Sequence, residues 1–147
     1  MTYLLLAALT IAAPNEEALL AGIRCVETSC DADKRDGDRD RPICERSVYP
    51  YHVTPRAVRH LVADGRLDAS RIAGYSLTSC TGIRAYLRTE RGGKEAAKAY
   101  LRFMLELSRG DEQRALSAYN CGFWREPLPS CIRYAGQVLQ IATGEAP

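Results

Sequence analysis

The chain has 147 residues, of which 46% are hydrophobic and 26% charged, and its formal net charge at pH 7 is +2. This length and composition are typical of one globular domain with a single core and exclude a wholly disordered chain. The small net charge gives no electrostatic argument for nucleic acid binding, so nucleic acid is not an expected partner.

The N-terminus begins with an apolar run from Leu4 to Ala13, followed by Pro14. This run is too short to span a bilayer, and it ends in small residues, as the core of a signal peptide does before its cleavage site. Residues 1–13 are therefore predicted to be a signal peptide, followed by one domain over 14–147 with no membrane span. No basic residue precedes the run, so an additional N-terminal helix stays open as the alternative.

The first helix is predicted from about Glu16 to Thr28, with Asn15 as its N-cap. Its apolar residues recur at three- and four-residue intervals and form one face: Leu19, Leu20, Ile23 and Val26. Glu27 continues this face in the last turn, where apolar neighbours and the negative end of the helix dipole both disfavour an ionised carboxyl. We therefore expect Glu27 to be protonated near neutral pH and able to act as a general acid. A Glu at the edge of a solvated face is the alternative.

The rest of the chain is predicted to be helical apart from a charged loop and one extended segment. The loop covers residues 31–42, and Ser47 to Val53 is extended or turned around Pro50. No strand pair is indicated, so the predicted fold class is all-α. A helix capped by Thr54 is predicted from Pro55 to Asp64. A second helical stretch begins at Asp68 or Ser70, breaks near Gly74 and ends before Gly92. The last three predicted helices run from Lys94 to about Ser108, from Glu112 to Tyr119 and from about Ser130 to Ala142.

Six cysteines are dispersed along the chain. There is no CxxC pair and there are only two histidines, so the pattern does not indicate a zinc or other metal site. An even, dispersed set predicts disulfides and therefore an exported protein, periplasmic or extracellular. The expected pairs are Cys121 with Cys131 and Cys30 with Cys44, each closing a loop, and by elimination Cys25 with Cys80.

Several segments resemble the SLT domain of lytic transglycosylases, within the lysozyme superfamily. Ala115 to Gly122, followed by Tyr134 to Val138, is similar to the family pattern ALxAYNxG…Y…V. Val26-Glu27-Thr28-Ser29 resembles the catalytic ES motif at the end of the family's first core helix. Ser47 to Pro55 lies where the family has SxGLMQxxP or SxGPYQxxP. The resemblance covers residues 18–138 and implies an all-α, lysozyme-like domain with Glu27 as the catalytic residue.

The chain departs from the family pattern at three positions. Thr28 replaces the usual Ser after the catalytic Glu, Tyr49 stands where the family has Gly, and His52 stands where it has a substrate-facing Gln. A His can still donate or accept a hydrogen bond at that position, but it reshapes the wall of the groove.

The resemblance implies a groove for a glycan strand. Tyr119, Trp124 and Tyr134 offer flat amphipathic surfaces, and Asn120 offers an amide donor and acceptor to an N-acetyl group. For the tyrosines core packing stays open, for Asn120 a helix C-cap, and for Trp124 a hydrophobic plug. The expected substrate-binding residues are Ser47, Tyr51, His52, Tyr119, Asn120 and Tyr134.

The expected activity is cleavage of the β-1,4 bond between N-acetylmuramic acid and N-acetylglucosamine in peptidoglycan, by a monomer that needs no cofactor. As the resemblance implies, Glu27 protonates the bridging oxygen and then takes the proton of the C6 hydroxyl, which closes a 1,6-anhydro ring. Two alternatives stay open. One is a hydrolase like goose-type lysozyme, in which Asp36, Asp38 or Asp40 positions water; for an inverting mechanism this second carboxylate has to stand roughly 6.5–9.5 Å from Glu27. The other is an inactive, secreted glycan-binding or inhibitor module.

Overall fold

The computed structural model describes residues 14–30, 40–72, 74–122 and 126–144. The predicted signal peptide over 1–13, the loop residues Asp36 and Asp38, and Trp124 lie outside the described residues. Within them the fold is all-α, as predicted, and its only β pairing is a bridge between Val48 and Val53. The helices are α1 (Glu16–Thr28), α2 (Pro55–Ala63), a 3-10 helix (Ala69–Ile72), α3 (Cys80–Leu87), α4 (Glu90–Leu107), α5 (Glu112–Cys121) and α6 (Pro129–Thr143).

Side-chain caps define where most of these helices begin. Asn15, Thr54, Ser79, Thr89 and Asp111 each accept a hydrogen bond from the backbone N–H three residues later. α6 instead begins with a proline at its first position, where the missing N–H has no intrahelical partner to lose. The bounds predicted for α1 agree with the structure because a cap and an apolar face coincide there.

The predicted start of α4 at Lys94 is wrong, since the helix begins four residues earlier, at Glu90. Thr89 caps it, and the two glycines that were expected to break a helix lie inside its first turns. A Cβ on Gly93 would lie 2.7 Å from the Leu87 carbonyl oxygen, and one on Gly92 would clash with the Tyr86 carbonyl oxygen. The glycines therefore allow the chain to pass closely from α3 into α4 rather than ending a helix.

α1 is held in the core by its apolar face and by close packing against α6. Leu19, Leu20 and Ile23 are fully buried. Gly22 allows the backbone of α6 to approach, because a Cβ there would lie 2.6 Å from the carbonyl oxygen of Val138. α6 also packs on α5, and α5 on α4. This packing fixes the C-terminal turn of α1 near the ends of α5 and α6.

Three disulfides link the cysteines: Cys25–Cys30, Cys44–Cys80 and Cys121–Cys131. The last confirms the prediction, whereas the predicted Cys30–Cys44 and Cys25–Cys80 pairs are wrong. After Thr28 the chain turns back through Ser29 and Cys30, which have φ angles of 50° and 57°. This turn brings the Cα atoms of Cys25 and Cys30 to 4.0 Å, so Cys44 is left to pair with Cys80.

The irregular segment 40–54 lies against α3 and α5. The Cys44–Cys80 bridge fastens it to the first turn of α3, and the buried Arg84 donates to the Arg46 carbonyl oxygen at 2.9 Å. The Tyr119 hydroxyl donates to the Tyr51 carbonyl oxygen at 3.0 Å. These contacts hold the segment in place beside the end of α1.

None of the helices in the described ranges is both long and apolar enough to cross a membrane. The three disulfides fit an exported protein.

Candidate active site

Glu27 lies in the last turn of α1, and its side chain is only 12% exposed. Burial raises the pKa of its carboxyl, while the nearby His52 ring and the nearby Tyr134 hydroxyl partly oppose this increase. Two contacts stabilise the end of α1 around Glu27. The Thr28 hydroxyl donates to the Arg24 carbonyl oxygen at 2.8 Å, and the Cys25–Cys30 bridge closes the turn that follows the helix. The structure therefore holds a carboxyl that favours its protonated form in a fixed position.

His52 is in direct contact with Glu27. The Nδ1 atom of its ring lies 3.1 Å from Oε2 of Glu27, and its side chain is 23% exposed. The two residues come from distant parts of the chain, since Glu27 ends α1 and His52 belongs to the segment before α2. An acid and a basic ring at hydrogen-bond distance form the centre of the candidate site.

A cleft of about 290 Å³ opens beside this pair. Its walls include Glu27 from α1, Tyr119 and Asn120 from α5, and Glu45, Ser47 and His52 from segment 40–54. Oxygen and nitrogen atoms on several walls can bind the hydroxyl and amide groups of a polar ligand.

A larger groove of about 720 Å³ runs along the charged face of α4, away from Glu27. Its cations are engaged by carboxylates: Arg71 and Arg91 both contact Glu95, and Lys98 contacts Glu17. Exposed ion pairs of this kind mainly organise a solvated surface. The smaller cleft is therefore the candidate active site, because it contains Glu27, whose carboxyl is largely buried.

Two buried tyrosines surround the Glu27 carboxyl. Burial, followed by the negative charge of Glu27, raises the pKa of both Tyr119 and Tyr134 well above the usual value, so both keep their protons. The Tyr119 ring packs on the Tyr100 ring with centroids 4.9 Å apart. The Tyr134 hydroxyl is close enough to Glu27 to affect its pKa, although its geometry does not amount to a formed hydrogen bond with any described residue.

The structure brings together some of the predicted site residues and separates others. Ser47, His52, Tyr119 and Asn120 line the cleft with Glu27. Tyr51 does not line it, because its ring is buried in the core. Tyr134 is buried beside the carboxyl and is also not part of the cleft wall.

The structure also shows where Asn120 and Asp40, two of the predicted site residues, lie. Asn120 is exposed within the last turn of α5, whose C-cap is Gly122, so Asn120 is not the C-cap. Asp40 is described but does not line the cleft, and the other two loop carboxylates lie outside the described residues.

Arg41, Glu45 and Tyr100 also line the cleft, although none of them was predicted from the sequence as a site residue. Glu45 is a second carboxylate in the same cleft, 44% exposed and 3.3 Å from the Arg56 guanidinium. Its neighbour Cys44 carried the available signal, since the correct Cys44–Cys80 pair would have placed this stretch beside α3. Tyr100 was predicted only as part of the apolar side of α4.

Within the described residues, no group of His, Cys, Asp and Glu side chains is arranged to hold a metal ion. Comparisons of the chain with protein-family models, with curated proteins and with solved structures find no match.

Proposed function

We propose that this protein cleaves the glycan strands of peptidoglycan as a lytic transglycosylase, at the bond between N-acetylmuramic acid and N-acetylglucosamine. One observation carries the proposal: Glu27, a largely buried carboxyl with a raised pKa, forms part of the wall of a polar cleft in contact with His52. The similarity of the Glu27 and Tyr119-Asn120 segments to the family's motifs adds to it.

The chemistry needs a carboxyl that is first an acid and then a base. Glu27 donates its proton to the bridging oxygen while the bond from that oxygen to C1 of the muramic residue breaks. The resulting carboxylate takes the proton of the C6 hydroxyl while O6 bonds to C1 and closes the anhydro ring. A raised pKa favours the protonated form that starts this cycle, and Glu27 is protonated again at its end.

The cleft walls offer groups that suit an N-acetylated sugar. The exposed Asn120 carries both an amide donor and an amide acceptor, and Ser47 carries a hydroxyl. The Tyr100 and Tyr119 rings add flat surface on the same side. These groups are expected to orient the sugar whose bond faces Glu27.

A hydrolase is the second candidate, and Glu45 is the observation that favours it. A hydrolase needs a second carboxylate to direct water, and Glu45 lines the same cleft as Glu27. Asp40, a residue considered for this role from the sequence, does not line the cleft. Under the transglycosylase mechanism Glu45 has no chemical step to perform.

The test is mass spectrometry of the muropeptides that the protein releases from purified cell-wall sacculi. The proposal predicts 1,6-anhydro ends from the wild type and similar products, at a similar rate, from Glu45→Gln. Reducing ends that are lost in Glu45→Gln would assign the hydrolase mechanism. Binding to sacculi without any released muropeptide would instead assign a glycan-binding module.

A further inference from the structure

His52 adopts a backbone conformation that is uncommon for a residue other than glycine, and contacts on both sides hold it there. Its φ is 54°, in the left-handed region. The Val48 N–H donates to the Val53 carbonyl oxygen at 3.0 Å, and the Tyr51 carbonyl oxygen accepts from the Tyr119 hydroxyl at 3.0 Å. These bonds fix the residues before and after His52, so the ring is aimed at Glu27 by the fold.

The two nitrogens of the His52 ring have different surroundings. Nδ1 lies 3.1 Å from Oε2 of Glu27. Nε2 is buried and forms no hydrogen bond within the described residues. A proton on Nε2 would be a buried donor without an acceptor, which is costly, whereas a proton on Nδ1 has Oε2 to accept it. The contacts therefore favour the ring form with its proton on Nδ1.

We infer that His52 is a positioning residue for Glu27: its Nδ1–H donates to Oε2, which confines the acidic proton to Oε1. The same bond stabilises the carboxylate that forms once Oε1 has given up its proton. This inference rests on the proposed function, in which Glu27 is first an acid and then a base. The His52 ring neither gains nor loses a proton in the cycle, since the proton leaves from Oε1 and the C6 hydroxyl returns one to Oε1.

Other titratable groups of the described residues face the pair from the neighbouring elements, and none of these groups replaces this contact. Tyr119 and Tyr134 stay protonated because burial raises their pKa values. Burial also raises the pKa of Tyr100. Glu45 is partly exposed and pairs with Arg56. We therefore expect loss of the His52 donor to change the titration of Glu27 more than loss of any of these groups. Arg41 also lines the cleft, and it completes the set of charged residues there in the part of the chain that the structure describes.

The test follows the side-chain carboxyl of Glu27 by carbon-13 NMR during a pH titration of two variants. His52→Leu removes the donor, whereas His52→Asn keeps an N–H near the position of Nδ1 and tolerates a positive φ. The Glu27 midpoint should rise by about one to two pH units in His52→Leu, because a hydrogen bond to a charged acceptor is lost. It should stay within about 0.5 unit of the wild type in His52→Asn. An unchanged midpoint in a folded His52→Leu would overturn the inference.

A second measurement needs no variant. Nitrogen-15 NMR of labelled histidine in the wild-type protein reports which ring nitrogen carries the proton, and His60 in the same spectrum serves as the exposed reference. The inference predicts a proton on Nδ1 of His52. A proton on Nε2 alone would overturn it even if no His52 variant folds.

Activity on sacculi separates this inference from the proposed function. If the wild type releases no muropeptide, the proposed function fails, and the NMR measurements still decide whether the contact exists. In an active protein, kcat of His52→Leu should fall about tenfold or more, with the alkaline limb of its pH profile moved to higher pH. In His52→Asn, both kcat and the pH of the alkaline limb should return to values close to those of the wild type. Equal losses in both variants, with no movement of the limb, would assign His52 a merely structural role.

Discussion

At the scale of single residues, the burial of Glu27 links the proposed chemistry to a cost in stability. A carboxyl that is 12% exposed at the C-terminal end of a helix favours its neutral form. The fold gains from the protonated group below the pKa of an ordinary Glu and loses this gain as the pH rises through the raised pKa of Glu27.

This cost predicts the pH dependence of one variant. Glu27→Gln keeps the size of the side chain and cannot ionise, so its melting temperature relative to the wild type should increase from pH 4 to pH 7. Thermal unfolding followed by circular dichroism at both pH values measures the difference. A variant that loses stability relative to the wild type over this pH range would show that Glu27 ionises readily in the fold.

The sequence contained part of this site. The apolar face of α1 pointed to Glu27, and the resemblance of residues 47–55 to a motif with a substrate-facing Gln pointed to His52, whose Nδ1 lies 3.1 Å from Oε2 of Glu27. Glu45 could not be identified, because only the Cys44–Cys80 bridge and the packing on α3 bring it to the cleft. Tyr51 was predicted to bind substrate, whereas its ring belongs to the core. In an irregular segment the sequence pattern does not show which side chains face the interior of the protein.

At the scale of elements, the helices could be predicted from local sequence features, whereas the start of α4 depends on close packing between helices. Capping residues and hydrophobic periodicity predict which segments are helical, because both are local properties of the sequence. The predicted start of α4 is wrong because glycine usually breaks a helix, whereas Gly92 and Gly93 allow the first turn of α4 to approach the carbonyl oxygens of Tyr86 and Leu87 at the end of α3. Whether a glycine breaks a helix or permits an approach depends on neighbours that are distant in sequence or in space.

Two glycines provide a matched test of this packing. Gly22→Ala on α1 would place a Cβ 2.6 Å from the Val138 carbonyl oxygen, whereas a Cβ at Gly136 on α6 meets nothing within 4 Å. Gly22→Ala should therefore destabilise the fold by about 1–3 kcal/mol despite its better helix propensity. Gly136→Ala should stabilise it by about 0.5–1 kcal/mol. Urea unfolding of both variants decides, and a Gly22→Ala variant as stable as Gly136→Ala would contradict the packing of α1 on α6.

At the scale of the whole molecule, one of the three disulfides, Cys44–Cys80, connects the segment that carries His52 to the helical core. The Cys44–Cys80 bridge joins residues 36 positions apart, and Cys121–Cys131 joins residues only 10 apart. Periodicity cannot foresee such pairs, because they depend on how helices and loops approach one another. The even number of cysteines predicted an oxidised protein, but only the turn after α1 determines which cysteine Cys25 meets.

The difference in loop length predicts unequal stabilisation. Replacing Cys44 and Cys80 with Ser should cost about 3–4 kcal/mol, and replacing Cys121 and Cys131 should cost roughly 1 kcal/mol less, because a longer loop gains more freedom in the unfolded chain. Urea unfolding under non-reducing conditions measures both. The first variant should also lose release of muropeptides at temperatures where it stays folded, since segment 40–54 is no longer fastened beside Glu27.

The central claim is that the Glu27 carboxyl performs the bond cleavage, and one comparison tests it most directly. Glu27→Gln and Glu17→Gln make the same chemical change on the same helix, but Glu17 is an exposed partner of Lys94 and Lys98 outside the cleft at Glu27. Release of muropeptides from purified sacculi should fall by about 10²–10⁴ in Glu27→Gln and should stay within about twofold of the wild type in Glu17→Gln. Both variants must first show cooperative unfolding like the wild type. Near-normal release by a folded Glu27→Gln would contradict the claim.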